Sequence, residues 1–443
     1  MFSKIFDKLS YSQFYSFLVH NKLLFTGQHC FRTGHSTETA TYELLDRINI
    51  SLDNGFLPIC VYLDLSKAFD TLDHSILLEK LNNYGVSGPS LLWFQSYLSN
   101  RLQFTVFNDS TSSSLPLSTG VPQGSILGPL LFLVYINDIY KASEKLQMIL
   151  YADDTTLISS LSPTSLYNDI LKFNDEIVKV HEWLLLNKLS LNISKTRYMI
   201  FHFPQRNINF DVLPNIMIGN QNILQAVEFD FLGVVINQNL NWKPHIAKIS
   251  SKIARANGSI RRLKNFLPKH VLMTIYNSLI IPHLTFGVLA WGYSCPRIVN
   301  SQKKSIRYIN QSKYNAHTEP LFKHNSILKF TDLFHLTMLK FYYKHTKNKL
   351  PDYFSTMFLP RQNSNPYDTR NSKLPLPQVP NMSSCINCIR YSIPKILDNT
   401  PSCISDKLFT HSLDGVSIYF KRYVIDKYST ECTIAQCFIC SRI

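Results

Sequence analysis

No stretch of this 443-residue chain is long and apolar enough to cross a bilayer. The longest apolar run, Leu127–Ile136, is too short and carries Pro129, so no membrane partner is expected. Charge is scarce too: 17% of residues are charged against 45% hydrophobic, which excludes an extended, self-solvating chain and argues for a globular one. The nine cysteines show no disulfide-like spacing and follow no recognisable secretory leader, so a reducing, intracellular compartment is expected. No internal repeat is present, and a stacked-repeat architecture is not expected.

What is there begins with size and charge. A mass of 51.2 kDa leaves room for two or three domains and a sizeable core. The formal net charge of +15 favours a polyanionic partner, and it is unevenly spread. Residues 1–236 hold 16 Lys and Arg against 21 Asp and Glu, whereas residues 237–443 hold 29 against 9. An acidic front suits carboxylates that gather metal, and a basic back suits a phosphate backbone, although a basic tail also simply confers solubility. Two Cys-x-x-Cys pairs, Cys385/Cys388 and Cys437/Cys440, have spacing that can chelate zinc, but neither sits in a zinc-ribbon or knuckle context.

Periodicity predicts an α+β front and a helical back. Segment 1–60 reads mostly as helix, with Leu44, Leu45, Ile48 and Leu52 on one face. Ile59–Leu63 reads as a buried strand ending at Asp64. Helices are expected around Ile76–Leu81, Leu91–Leu98 and Val178–Asn187, a strand over Arg197–Phe203, and a Ser/Thr-rich loop over 109–118 between hairpin strands. Met148–Tyr151 and Thr155–Ile158 flank Ala-Asp-Asp and predict a hairpin with acidic residues at its turn. Beyond Asn237 the pattern is mainly helical, and Pro-, Asn- and Ser-rich 360–383 reads as a linker or long surface loop.

Three carboxylates stand out: Asp64, Asp153 and Asp154. The first two are 89 residues apart, so they meet only if their strands are neighbours in one sheet. If they meet, they offer hard oxygen ligands for two Mg²⁺ ions, which nucleotide addition needs about 3.5–4 Å apart. Alone, an Asp-Asp turn is usually a solvated hairpin tip, and its company decides the matter. Val-Tyr-Leu-Asp-Leu-Ser-Lys-Ala-Phe-Asp (61–70) resembles polymerase motif A, and Gly-Val-Pro-Gln-Gly-Ser-Ile-Leu-Gly-Pro (120–129) resembles motif B. Tyr-Ala-Asp-Asp (151–154) matches reverse-transcriptase motif C, Leu-Asn-Ile-Ser-Lys-Thr (191–196) resembles motif D, and Phe-Leu-Gly-Val (231–234) resembles motif E, the primer grip. The wording is that of jockey-like non-LTR retrotransposon reverse transcriptases, with further support from Ser-Tyr-Leu-Ser-Asn-Arg (96–101) and Leu-Asn-Trp-Lys-Pro-His-Ile (240–246).

This resemblance implies an α+β right-hand polymerase palm with partial fingers, followed by a mainly α-helical basic thumb and C-terminal region. The divisions expected are 1–236 for the reverse transcriptase domain, 237–360 for a thumb-like region, and 361–443 for a region of unknown role. Asp64 and Asp153 would be the principal metal ligands, with Asp154 less direct and Mn²⁺ a substitute for Mg²⁺. Phe69 falls where the family places an aromatic under the incoming sugar, or is ordinary core. Gln123 and Gly124 belong to a turn expected at the dNTP, with Leu130–Tyr140 a helix beneath, although Gln123 also suits a plain turn. Lys195 is a candidate general acid for pyrophosphate, or an exposed strand-edge lysine. Lys67, Asp70 and Asp73 read as structural.

For the template–primer, the resemblance implies Phe231, Leu232 and Gly233 of the primer grip and a basic helix, His245–Leu263. There Ile246, Ile249, Ile253, Ala256, Ile260 and Leu263 form an apolar stripe, with Lys248, Lys252, Arg255 and Arg262 opposite. That face suits a phosphate ladder or is simply solvated. Phe341-Tyr342-Tyr343-Lys344-His345 mixes aromatics and cations in a way that suits nucleic acid or an ordinary helix. The expected partners are an RNA template, a DNA primer and dNTPs, with nuclear access if the enzyme is active.

The upstream Arg-Pro-Ile fingers block of the family is absent. Gln28-His29-Cys30-Phe31-Arg32 matches a downstream block, with Cys30 where glycine is usual. An N-terminally truncated chain is therefore expected. Its alternative is an inactive remnant that binds template–primer without polymerising, because a lost positioning clamp costs orders of magnitude in rate. A maturase-like protein fits the motif wording less well.

Overall fold

The computed structural model describes residues 2–122, 124–206, 208–209, 212–293, 295–359, 361 and 374–429. The chain divides into two compact units, Met1–Ala40 with Gly55–Val227 and Thr41–Asn54 with Glu228–Ile443.

The first unit is built on a five-stranded sheet. Its order is Leu224–Gln225, Arg197–Ile200, Leu57–Leu63, Asp154–Leu161, Gln147–Tyr151. All neighbours are antiparallel except the Leu224–Gln225 edge, which runs parallel to Arg197–Ile200. The central strand Leu57–Leu63 is buried at every position, and so reads as an unbroken apolar run rather than an alternation. Helix Gly128–Ile136 is apolar on all sides and almost wholly buried, as such a helix must be. It stops short of the expected Tyr140, and a 3-10 turn, Ile139–Ala142, follows.

Two further expectations change in detail. The helix predicted over Val178–Asn187 runs the full length of Leu166–Leu186. Its buried stripe of Ile170, Phe173, Ile177, Val180 and Leu184 begins among polar residues that hide the period in the sequence. Residues 109–118 are not all loop: Ser110–Thr111 pairs with Val106–Phe107, and Leu115–Leu117 with Arg101–Gln103. Lys67, Asp70 and Asp73 lie in the turn after the central strand. Asp73 caps helix His74–Asn83 through the Ser75 and Ile76 amides and pairs with Lys188 at 2.6 Å, a structural role.

The second unit is helical. Its core joins helix Lys243–Leu263 (Ile249, Ile253, Ala256 and Ile260) to Leu272, Tyr276, Ile298, Ile306 and Phe330. Phe341, Tyr342 and Tyr343 are buried in this core, so the aromatic–cationic run there is a packing motif and not a nucleic-acid surface. The described part of 361–443 belongs to this unit together with 237–360, and it closes over the inserted segment Thr41–Asn54. Asp46, only 2% exposed, accepts from Arg390 at 2.7 Å and from the Tyr353 hydroxyl at 2.7 Å. Asp53 accepts from the Met382 amide at 2.7 Å and the Tyr391 hydroxyl at 3.0 Å. Most of the 360–383 segment lies outside the described residues.

A buried carboxylate that loses its cation is left uncompensated. Arg390→Ala should therefore cost about 3–5 kcal/mol of stability in urea denaturation, far more than removing an exposed arginine such as Arg262.

Candidate active site

Strand register brings the three aspartates together. Leu63 pairs with Thr155, and Tyr151 pairs with Asp154 across the hairpin. Asp64, one residue beyond Leu63, therefore comes level with Asp154, while Ala152 and Asp153 form the two-residue turn. Asp64 is fixed from its other side: its carbonyl accepts from the Asn192 amide at 2.7 Å, and its amide donates to the Thr196 hydroxyl at 3.4 Å. The 190–196 segment thus positions Asp64 and also delivers Lys195, whose Nζ lies 3.9 Å from an Asp64 carboxylate oxygen. Lys195 stays 71% exposed and precedes the strand, so it is an exposed surface charge beside Asp64 and lies outside the strand itself.

The carboxylates feel one another. Desolvation, and after it the Asp64 charge, raises Asp153 above the usual carboxylate range against one backbone hydrogen bond that lowers it. Asp154 is pushed up to about 6 by desolvation and then by the Asp153 and Asp64 charges. Its side chain remains open to solvent, which screens the energetic cost of that crowding. Among the described residues no three His, Cys, Asp or Glu side chains converge closely enough to enclose a metal ion. The donor chemistry nevertheless fits a hard divalent cation: Mg²⁺ typically takes only one or two carboxylates and completes its shell with water and substrate phosphates. Burial raises the Cys385 thiol to about 11 and raises Cys388 as well. The Cys437/Cys440 pair lies outside the described residues.

Residues 120–122 are stitched to the turn after Asp64. The Val121 amide donates to the Phe69 carbonyl at 3.0 Å, and the Gly120 amide to the Leu72 carbonyl at 2.8 Å. Gly120 has φ +80°, and a Cβ there would lie 2.7 Å from the Asp70 carbonyl oxygen, so only glycine fits. Phe69 is partly buried and stacks on Phe132, ring centroids 4.3 Å apart, which gives it a fixed platform. Gly124 is exposed with φ +75° and open space at its α-carbon, and Gln123 lies outside the described residues. A polar cavity of about 460 Å³ opens beside this junction, lined by residues including Asp70, His74, Arg101 and Pro122.

One positioning residue, Gln28, was not singled out by sequence reasoning. Ala152 adopts φ +55°, an unusual conformation for a residue with a side chain. Its amide donates to the buried Gln28 Oε1 at 3.2 Å, which also accepts from the Cys30 amide at 2.9 Å. Backbone bonds from His29 to Leu150 at 2.8 Å and from Leu150 to Gly27 at 2.9 Å fasten the same segment to the hairpin. The only signal was the match of 28–32 to a fingers block. The Cys30 thiol is pushed up to about 11, chiefly by burial, with the Asp153 and Asp154 charges adding to it.

With this geometry in hand, similarity to known proteins can be weighed. Residues 3–236 match the family described as reverse transcriptase (RNA-dependent DNA polymerase). The chain belongs to the reverse transcriptase family. Among curated relatives it is 25% identical over 318 residues to the probable RNA-directed DNA polymerase from transposon X-element of Drosophila melanogaster, covering 69% of this chain and 34% of that protein. It is 24% identical over 319 residues to the RNA-directed DNA polymerase from mobile element jockey of the same fly, covering 68% of this chain and 34% of the relative. The chain thus spans about a third of the length of the curated relatives it matches. Reverse transcriptases generally use divalent metal ions, and this one is jockey-like. No described helix is long and apolar enough to cross a membrane.

The motif E residues and the basic helix lie in the second unit. Phe231 pairs with Val234, and Leu232 (φ +48°) with Gly233 (φ +93°) makes the tight turn between them. Leucine in that conformation is strained. On the helix, Lys252 is half-buried, Arg255 and Arg262 are exposed, and Lys248 is taken up by an ion pair with Asp230. The expected four-cation ladder is thereby reduced at one end. His245, on the buried face of the first turn of this helix, accepts from the Val235 amide at 3.1 Å. Burial, then the Lys248 and Lys252 charges outweighing Asp230, pushes it down to about 4.

Two outcomes follow. Gln28→Leu orphans the Ala152 and Cys30 amides and should cost roughly 1–3 kcal/mol per lost acceptor in chemical denaturation; unchanged stability would show that these bonds do not form. For His245 the unfolded chain takes up a proton near pH 6.5 and the fold resists it down to about 4, so stability is lost as pH falls through that window. The loss should reach roughly 2 kcal/mol between pH 7 and 5 and vanish in His245→Asn, read as the difference in urea midpoints.

Proposed function

We propose that this chain is the polymerase region of a non-LTR retrotransposon enzyme that copies RNA into DNA from a DNA primer. The observation that carries the reading is the convergence of Asp64 with Asp153 and Asp154, close enough to raise the proton affinity of the turn carboxylates. Carboxylates that repel one another when bare are the groups a divalent cation relieves. In this reading Asp64 and Asp153 hold two Mg²⁺ ions, with Asp154 beside them and Mn²⁺ able to substitute. When bound, the pair supplies Lewis acidity to the primer 3′-hydroxyl and neutralises the triphosphate.

The chain's own residues do the rest. Phe69, backed by Phe132, lies under the incoming sugar and rejects a 2′-hydroxyl by overlap. Gly124 lets the backbone approach the nucleotide, with Gln123 beside it. Lys195 offers a positive charge, and a proton, to the departing pyrophosphate. Phe231, Leu232 and Gly233 grip the primer, and Lys252, Arg255 and Arg262 track phosphates with Lys248 released from Asp230 when a strand competes. Work on chromosomal DNA requires access to the nucleus.

The test is dNTP incorporation by the purified chain on a primed RNA template with Mg²⁺. Asp153→Asn/Asp154→Asn should reduce it by about a thousandfold or more while duplex binding persists. Phe69→Ala should narrow the preference for dNTPs over rNTPs by about tenfold or more. A wild-type chain that binds duplex but incorporates nothing would sink the polymerase reading for this chain.

A further inference from the structure

From Phe231 to Thr318 the chain contains no Asp or Glu, while 13 lysines and arginines fall in the same stretch. Two turns of this stretch meet at one tip of the second unit. One follows helix Lys243–Leu263 and the other follows helix Pro296–Ile309. The helices run side by side in the same direction: Asn257 Nδ2 donates to the Ser301 carbonyl at 3.1 Å, and further on Gln311 Nε2 donates to the Lys264 carbonyl at 2.7 Å.

Each turn holds an aromatic ring out into solvent. Phe266 is 82% exposed and Tyr314 is 88% exposed, the two most exposed aromatic side chains among the described residues. A single exposed ring is unremarkable, but two rings on tethered turns with cations around them are a different matter. Both turns are held from within. The Phe266 amide donates to the Leu263 carbonyl at 3.0 Å, the Ser312 amide to the Arg307 carbonyl at 3.0 Å, and Arg307 Nε to the Ala316 carbonyl at 2.8 Å. Rings on ordered turns lose little freedom on binding. Arg261, Arg262, Lys264 and Lys313 flank them, and no carboxylate in the stretch neutralises these charges.

We propose that this tip is a stacking platform for single-stranded RNA, in which Phe266 and Tyr314 each carry an unpaired base while the flanking cations hold the intervening phosphates. A stretch with cations and no acids does not suit a basic protein partner, and a paired duplex offers no base faces to stack on. The site goes beyond the polymerase reading; only the choice of RNA over DNA rests on it, because the RNA template is the strand left unpaired outside the copied duplex.

Fluorescence anisotropy with a labelled twelve-nucleotide oligoribonucleotide, without dNTPs, tests this on the full chain. Phe266→Ala and Tyr314→Ala should each weaken binding by about tenfold or more, with Tyr314→Phe and Phe266→Tyr close to wild type. Both rings are exposed, so the alanine variants should melt as the wild type does. The salt dependence should be unchanged in the aromatic variants and shallower by about one in log–log slope in Lys264→Ala/Lys313→Ala. Emission of Phe266→Trp should be quenched by the oligonucleotide. Unchanged affinity in the double alanine variant overturns the proposal. An equal loss on duplex overturns the stacking role, and an equal loss on the deoxyribonucleotide overturns the assignment to RNA. Repeating the titration with Asp153→Asn/Asp154→Asn separates the two readings: a chain that never polymerises still passes or fails this binding test.

Discussion

The register between Leu57–Leu63 and Asp154–Leu161 is the constraint on which the first unit depends, because the period of a strand is two and a slip of one residue turns every side chain to the other face. With Leu63 opposite Thr155, Asp64 comes level with the Asp-Asp turn, and the acid cluster exists. The apolar residues of the central strand enforce that register, since all of them are buried and none can be moved to solvent cheaply. The approach of Asp64 to the acidic turn is thus secured by hydrophobic packing some distance along the same strands.

The cluster is also held against its own repulsion. Besides burial, the Asp64 charge raises the proton affinity of Asp153, and the Asp153 and Asp64 charges raise that of Asp154, while the backbone around them is held at several points. Gln28 braces the left-handed Ala152, residues 190–196 brace Asp64, and residues 119–121 bind the turn that carries Phe69. Such bracing holds an unfavourable arrangement of charge in place.

In the second unit the organising contrast is between charge that is buried and paired and charge that is exposed and unopposed. Asp46 and Asp53 are enclosed with Arg390, Tyr353 and Tyr391, and they make the described C-terminal residues part of this unit. The 231–318 stretch carries cations and no acids, and its Arg255, Arg261, Arg262 and Lys313 are exposed. Burial of one set and exposure of the other give the unit a stable interior together with a field that attracts phosphate.

Local pattern in the chain already carries the α+β class, the central strand ending at Asp64, the acidic hairpin and the apolar stripe of the basic helix. Each of these is written in local periodicity or in short motifs whose residue types the chemistry requires. The folded chain alone reveals that Phe341, Tyr342 and Tyr343 are core, that Lys248 pairs with Asp230, that Lys195 lies beside Asp64, and that Gln28 supports the Ala152-Asp153 turn. Those facts are contacts between residues remote in the chain, or within it but across a turn, and periodicity carries no information about which distant partner a polar side chain will find. The long helix Leu166–Leu186 was hidden for a related reason: its polar start acquires a buried face only once the sheet is there to cover it.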